Sequence, residues 1–147
     1  MTIQVDVVGR EAASVMAGLH RECFTREESW DTRSFAQLLS SPGVKGWVAR
    51  DGMDLLGLLL VRFAVDECEV LTLCVHPSAR LRGIGRMLMS NFLEISQARQ
   101  SIIFLEVSIH NKVAQKLYSS LDFKNVGYRP RYYADGSDAI VLSFSEK

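Results

Sequence analysis

The stretch V-H-P-S-A-R-L-R-G-I-G-R-M-L-M, Val75 to Met89, reads as three pieces: the end of an apolar strand, a short turn with Gly83 and Gly85, and the start of an amphipathic helix. A helix opens with backbone N–H groups that have no acceptor inside it, so a junction of this kind suits a phosphate or pyrophosphate. Glycine lets the backbone approach an anion with no Cβ in between. Arg80, Arg82 and Arg86 add positive charge, and no acidic residue stands between Val75 and Leu93 to cancel it. Arginine also makes directional hydrogen bonds to phosphate oxygens. Other nucleotide motifs fit poorly: G-x-G-x-x-G would need glycine where Leu88 stands, and the Lys-Ser/Thr of a P-loop is missing. Taken alone, the turn is also readable as a glycine-capped corner with solvated arginines.

The chain around this stretch alternates between strand and helix patterns. Before it, Glu67 to Val75 reads as a strand ending at His76-Pro77. Val44 to Ala49 and Asp54 to Phe63 read as two strands joined through Asp51-Gly52, a favourable hairpin signal. Ile3 to Val8 suits a first strand. Arg10 to Phe24 carries Ala12, Ala13, Met16, Leu19, Cys23 and Phe24 near helical spacing. Asp31 can cap a short helix packed through Phe35, Leu38 and Leu39 and ended by Ser41-Pro42-Gly43. After the turn, Gly83 to Ser96 is helical in pattern, and Ile102 to Val107 is apolar enough for a central strand. Val113, Ala114, Leu117, Tyr118 and Leu121 mark a further helix, and strands near Phe123 to Tyr128 and Ala139 to Phe144 close the pattern. The order predicts a mixed α/β arrangement around one sheet. No linker or repeat interrupts it, so residues 1–147 read as a single domain.

Composition narrows the function classes. Hydrophobic residues are 48% and charged residues 23% of 147, an ordinary globular balance. The formal net charge is zero, which argues against a chain-wide basic field for nucleic acid. Cys23, Cys68 and Cys74 are widely spaced, with no Cys-x-x-Cys pair or zinc-like cluster, so free thiols and no metal are expected. The apolar run Leu55 to Val61 is far too short to cross a bilayer. The start M-T-I-Q-V-D-V-V lacks the pattern of a secretory signal, so a cytoplasmic protein without membrane attachment is expected.

R-L-R-G-I-G at Arg80 to Gly85 resembles the Arg/Gln-x-x-Gly-x-Gly/Ala turn of the GCN5-related N-acetyltransferases (GNAT). E-V-L-T-L-C-V-H-P, L-E-V-S-I-H-N-K-V-A-Q-K-L-Y-S-S-L-D-F and R-P-R-Y-Y extend the resemblance over Phe24 to Phe144, toward the RimI-type ribosomal-protein alanine N-acetyltransferases. The resemblance implies the GNAT fold, a mixed, mostly antiparallel central sheet flanked by helices, with acetyl-CoA as cosubstrate. It implies that Arg80, Leu81, Arg82, Gly83, Ile84, Gly85 and Arg86 cradle the pyrophosphate. Leu73, Cys74 and Val75 would align the pantetheine arm and thioester, and Asn111 would help orient coenzyme A. As a bare residue, Asn111 is equally a helix cap.

Strand alternation places Glu106 on one face with Phe104 and Ser108. A carboxylate in that apolar run is a candidate proton acceptor, or one half of a structural ion pair. Tyr118 is a packing aromatic or a phenol able to protonate a thiolate. The resemblance implies that Glu106 is the general base and Tyr118 the general acid of a direct transfer. Cys74 has no organised base partner that would make it a nucleophile. Glu69 can attract a cationic amino terminus or be an ordinary charged hairpin end, and Tyr132 and Tyr133 can wall a peptide or pack on the surface beside an edge strand. Arg131 stands where the resembling sequences usually carry Asn, and the Ala134–Asp138 run reads as a turn or mobile loop. The leading expectation is acetylation of the N-terminal alanine of a small-subunit ribosomal protein. The alternatives are a small-molecule amine acetyltransferase and a noncatalytic acyl-CoA-binding module needing neither Glu106 nor Tyr118.

Overall fold

Apolar alternation and one parallel crossover build the sheet. In the computed structural model, which describes residues 2–99 and 101–145, β1 (Gln4–Val8), β2 (Val44–Asp51), β3 (Asp54–Phe63) and β4 (Glu67–Val75) form an antiparallel run. β5 (Ile102–Ser108) joins β4 in parallel, and β6 (Lys124–Arg129) and β7 (Ala139–Phe144) complete seven strands in the order β1-β2-β3-β4-β5-β7-β6. α1 (Ala13–Cys23) and α2 (Thr32–Leu39) pack on one face, α3 (Ile84–Ala98) and α4 (Lys112–Ser120) on the other. This is the mixed, mostly antiparallel sheet flanked by helices expected from the sequence, with the helices and strands in the expected order.

Three local readings shift. The first helix does not begin at Arg10: Arg10–Ala12 is a single 3-10 turn and α1 starts at Ala13. Asp51 pairs with Asp54, so the hairpin turn is Gly52-Met53, with Gly52 at φ +59 supplying the left-handed residue. Val113 is 71% exposed, because it lies about a quarter-turn around α4 from the stripe of Ala114, Leu117, Tyr118 and Leu121. Asp31 caps α2 as expected, its Oδ1 accepting from the Ser34 N–H at 2.8 Å.

Two cores sandwich the sheet. Trp47, Leu59, Val61, Ile84, Leu88 and Phe92 belong to the core under α3; Met16, Phe35, Val48, Leu58 and Leu60 belong to the one under α1 and α2. Gly57 lets α3 ride close on β3, since a Cβ there would lie 2.9 Å from Ile84 Cγ2. β4 changes allegiance along its length. Leu60 pairs with Thr72 but Val61 pairs with Val70, so Leu71 is an extra residue, a β-bulge. Cys68 and Val70 therefore face the α3 core, whereas Cys74 packs into the α1 core and Thr72 reaches His20 on α1.

His20 ties that second core together. It is 2% exposed, its ring lies 5.0 Å from Trp30 and 4.4 Å from Phe24, and Nδ1 accepts from the Trp30 backbone N–H at 3.0 Å. Nε2 must then carry the ring proton and donate it to Thr72 Oγ1 at 2.9 Å. Burial holds its pKa down to about 4 from an ordinary 6.5. A histidine neutral when folded but protonated when unfolded contributes stability that is full above pH 6.5 and lost as pH falls toward about 4. Urea unfolding across that window should show His20 costing the wild type on the order of 3 kcal/mol. The slope of stability against pH should flatten in His20→Gln; parallel slopes in the two proteins would contradict the assignment.

Candidate active site

β4 and β5 pair at only three positions, Glu67↔Ile102, Cys68↔Ile103 and Glu69↔Phe104. Beyond them β4 continues to Val75 along β3, and β5 continues to Ser108 along β7. The two strands part, leaving facing backbone edges that do not pair with each other. α3 follows β4 and α4 follows β5, so both helices begin at the open end of the split, where open α/β sheets bind ligands.

The turn into α3 is shaped to expose N–H groups. Gly83, the residue before the helix, has φ +78 and no side-chain cap, and the first backward bond runs from Met87 N to Gly83 O at 3.0 Å. The N–H groups of Ile84, Gly85 and Arg86 therefore lack acceptors within the helix. Leu81 also adopts a positive φ, +66, while 96% exposed, an unfavourable conformation for a branched apolar residue in a loop that concentrates amide donors. Arg80 Nε donates to Val75 O at 3.3 Å, Arg86 donates to Ser120 Oγ and so ties α3 to α4, and Arg82 lies exposed on the turn. Asn111 is a helix cap here, its Oδ1 accepting from Ala114 N at 3.1 Å. Gln115 pins the end of β5 by donating to the Ser108 and Ile109 carbonyls.

Because of the bulge, Leu73 and Val75 pack toward α3 while Cys74 points away from it. The Cys74 thiol is pushed far up, first by its hydrogen bond with Cys23 and then by burial, so it stays a protonated, inert thiol. What Cys74 can offer a ligand is thus its backbone, not its sulfur.

Glu106 does share a face with Phe104 and Ser108, since Ile103, Leu105 and Val107 are the buried residues of β5. Its carboxylate is 15% exposed and Oε2 lies 2.7 Å from Arg129 Nε, so the ion pair considered from sequence exists. Tyr118 lies on the opposite side, buried in the α3-side core with its ring 5.6 Å from Phe123. Burial, then the charge of Tyr133, pushes its phenol up, which keeps it protonated. Tyr133 connects the two: its own phenol is raised to about 12, first by burial and then by the Glu106 charge.

Of the residues expected on the acceptor side, Glu69, Tyr132 and Tyr133 lie on or within electrostatic reach of the Glu106 face. Glu69 aligns with Phe104 across the three-residue pairing and meets Arg62 at 3.8 Å. Tyr132 and Tyr133 pack edge to face at 5.1 Å, and both backbone N–H groups donate to Ser137 O. The Ala134–Asp138 run is a pinned turn, Asp135 Oδ1 accepting from both Ser137 N and Oγ. Arg131 sits at φ +50 with its N–H donating to Asp138 Oδ1. Asparagine tolerates this left-handed region better than other non-glycine residues, so the usual Asn of the resembling sequences is explained by backbone geometry. Arg129 and Glu28 were not singled out from sequence; both reach the cluster, Glu28 through the field on Tyr133. Among the described residues no helix is long and apolar enough to cross a membrane, and no group of three metal-ligating side chains converges.

The acetyltransferase (GNAT) family model matches residues 13–123. The chain is 34% identical over 145 residues to the N-alpha-acetyltransferase RimI of Mycobacterium tuberculosis, covering 95% of this chain and 90% of that protein. It is 26% identical over 137 residues to a ribosomal protein bS18-alanine N-acetyltransferase of Escherichia coli, covering 90% and 92% of the two chains. The crystal structure of the ribosomal-protein-S18-alanine N-acetyltransferase from Escherichia coli superposes with a TM-score of 0.89 at 20% identity, over 98% of this chain and 94% of that one.

The backbone explanation for position 131 is open to a direct check. Arg131→Asn should raise the free energy of unfolding by about 0.5–1 kcal/mol, and Arg131→Val should lower it, in urea titrations. Equal midpoints for all three proteins would mean that backbone conformation is not what position 131 selects.

Proposed function

The chain belongs to the acetyltransferase (GNAT) family, and we propose that it moves the acetyl group of acetyl-CoA to the N-terminal α-amine of a protein, specifically the N-terminal alanine of a small-subunit ribosomal protein. The observation that carries this reading is the position of Glu106: beside the split between β4 and β5, on the face walled by Tyr132 and Tyr133. Similarity to an N-alpha-acetyltransferase and to an alanine N-acetyltransferase supports this acceptor class.

In this reading the α3 turn, residues 80–86, holds the pyrophosphate with its amide donors and arginines. The split receives the pantetheine arm along the backbone of Leu73, Cys74 and Val75, and Asn111 orients coenzyme A from the start of α4. The acceptor peptide lies against Glu69, Arg131, Tyr132 and Tyr133. A neutral amine attacks the thioester carbonyl, and backbone N–H groups near Leu73–Val75 stabilise the developing oxyanion. Glu106 takes the proton from the amine nitrogen, and the C–S bond breaks toward sulfur.

Tyr118 faces that sulfur as a hydrogen-bond donor. Its raised pKa guarantees the proton but makes the phenol a weak acid, so its contribution is mainly to stabilise developing thiolate charge. Direct attack also favours an α-amine on acid–base grounds. At neutral pH roughly a tenth of α-amines are unprotonated, against well under a thousandth of lysine side chains.

Glu106→Gln and Tyr118→Phe should fold and bind acetyl-CoA, with turnover of an Ala-starting peptide falling about 10²–10⁴-fold for Glu106→Gln and less for Tyr118→Phe. Mass spectrometry of intact ribosomal proteins should find the new acetyl group on an α-amine. Higher catalytic efficiency with polyamines than with the peptide would reject the protein acceptor, and wild-type turnover in both variants would reject the catalytic roles.

A further inference from the structure

We infer that Arg129 is a positioning residue for acetyl transfer: it holds the Glu106 carboxylate in place through Oε2 and couples it to the tyrosine wall of the acceptor groove. This rests on Glu106 being the base, as proposed above. β7 lies between β5 and β6, pairing Val141 with Glu106 and Ala139 with both Ser108 and Arg129. Arg129 therefore reaches across β7 to meet Glu106 on the same face of the sheet, with Nε 2.7 Å from Oε2. The same guanidinium stands 5.8 Å from the centre of the Tyr132 ring, a cation–π distance. A single side chain thus spans the base and the wall.

The asymmetry of exposure gives this contact its meaning. Glu106 is 15% exposed and Arg129 is 58% exposed. A surface ion pair between two exposed side chains would contribute little, but here the carboxylate is largely withdrawn from water and the arginine is the cation that accompanies it. The other ionisable groups that face Glu106 are the phenols of Tyr132 and Tyr133 from the loop after β6, and β7 presents only Val141 opposite it. Glu69 on β4 and Glu28 between α1 and α2 stand further out, in the fields of Tyr132 and Tyr133 respectively. None of these supplies a positive charge. Take the guanidinium away and the carboxylate loses the contact that fixes its orientation, among phenols and acids that offer no cationic replacement.

The expected signature is a loss in turnover rather than in binding. In Arg129→Gln, kcat for an Ala-starting peptide should drop about tenfold or more while KM stays within about threefold of wild type. Arg129→Lys should restore most of the lost kcat, since an ammonium can still sit beside the carboxylate. Acetyl-CoA affinity, read by calorimetry, should be unchanged in both variants. A loss that Arg129→Lys does not restore would assign Arg129 to the fabric of the β6 end, and no loss in Arg129→Gln would make it a bystander; either overturns the inference. The Glu106→Gln enzyme run in parallel separates the two claims. If Glu106→Gln is as active as wild type, the base assignment fails; if it is impaired while Arg129→Gln is not, only the role of Arg129 fails.

Discussion

The site depends on one constraint: β4 and β5 run parallel but hold together for only three residue pairs. Backbone N–H and C=O groups need partners, and two strands that separate in the middle of a sheet leave a row of them facing each other across a gap. That gap is maintained from both sides. β3 holds β4 to its end at Val75, and β7 holds β5 to its end at Ser108, so neither strand is free to close on the other. The bulge at Leu71 acts at the same place. It turns Cys74 into the α1 core and hands Thr72 to His20, fixing the strand where it leaves its neighbour.

The split also explains how groups on opposite faces of a sheet can belong to one site. Glu106 projects with Phe104 and Ser108 on one side, and Tyr118 belongs to the core on the other. In a continuous sheet they would be separated by a layer of hydrogen-bonded backbone. Where β4 and β5 part, the layer is missing, and Tyr133 is within electrostatic reach of both. In the proposed mechanism, Glu106 as proton acceptor and Tyr118 as donor stand on either side of a slot, as an attacking amine and a departing thiolate require.

The sequence is most informative where function and local structure use the same residues. Gly83 and Gly85, the strand before them and the helix after them are legible because an exposed turn with amide donors needs glycine and forbids acids. Glu106 and Tyr118 are legible as an acid in an apolar strand and an aromatic on the next helix. The fold order is legible from periodicity. What could not be read is what depends on pairing register. The bulge at Leu71 adds no signal to E-V-L-T-L-C-V, yet it decides which way Cys74 faces. Arg129 looks like one more surface arginine until β6 is laid beside β7 and its side chain reaches Glu106. Arg131 reads as a departure from the usual Asn, and only the structure shows that its backbone, at φ +50, adopts a conformation Asn tolerates well. His20, in a helix read by its apolar spacing, had no sequence partner in sight because Thr72 lies on a strand far along the chain.

The central claim is that acetyl-CoA occupies the split as though it were the missing strand, with its phosphates on the turn into α3. Amide hydrogen exchange with and without acetyl-CoA tests this most directly. The expected result is slowed exchange at residues 84–86 and at those amides of residues 71–75 that point away from β3, with the amides that pair β1 with β2 unchanged. Tight binding of acetyl-CoA that leaves both sets of amides exchanging at their unliganded rates would contradict it.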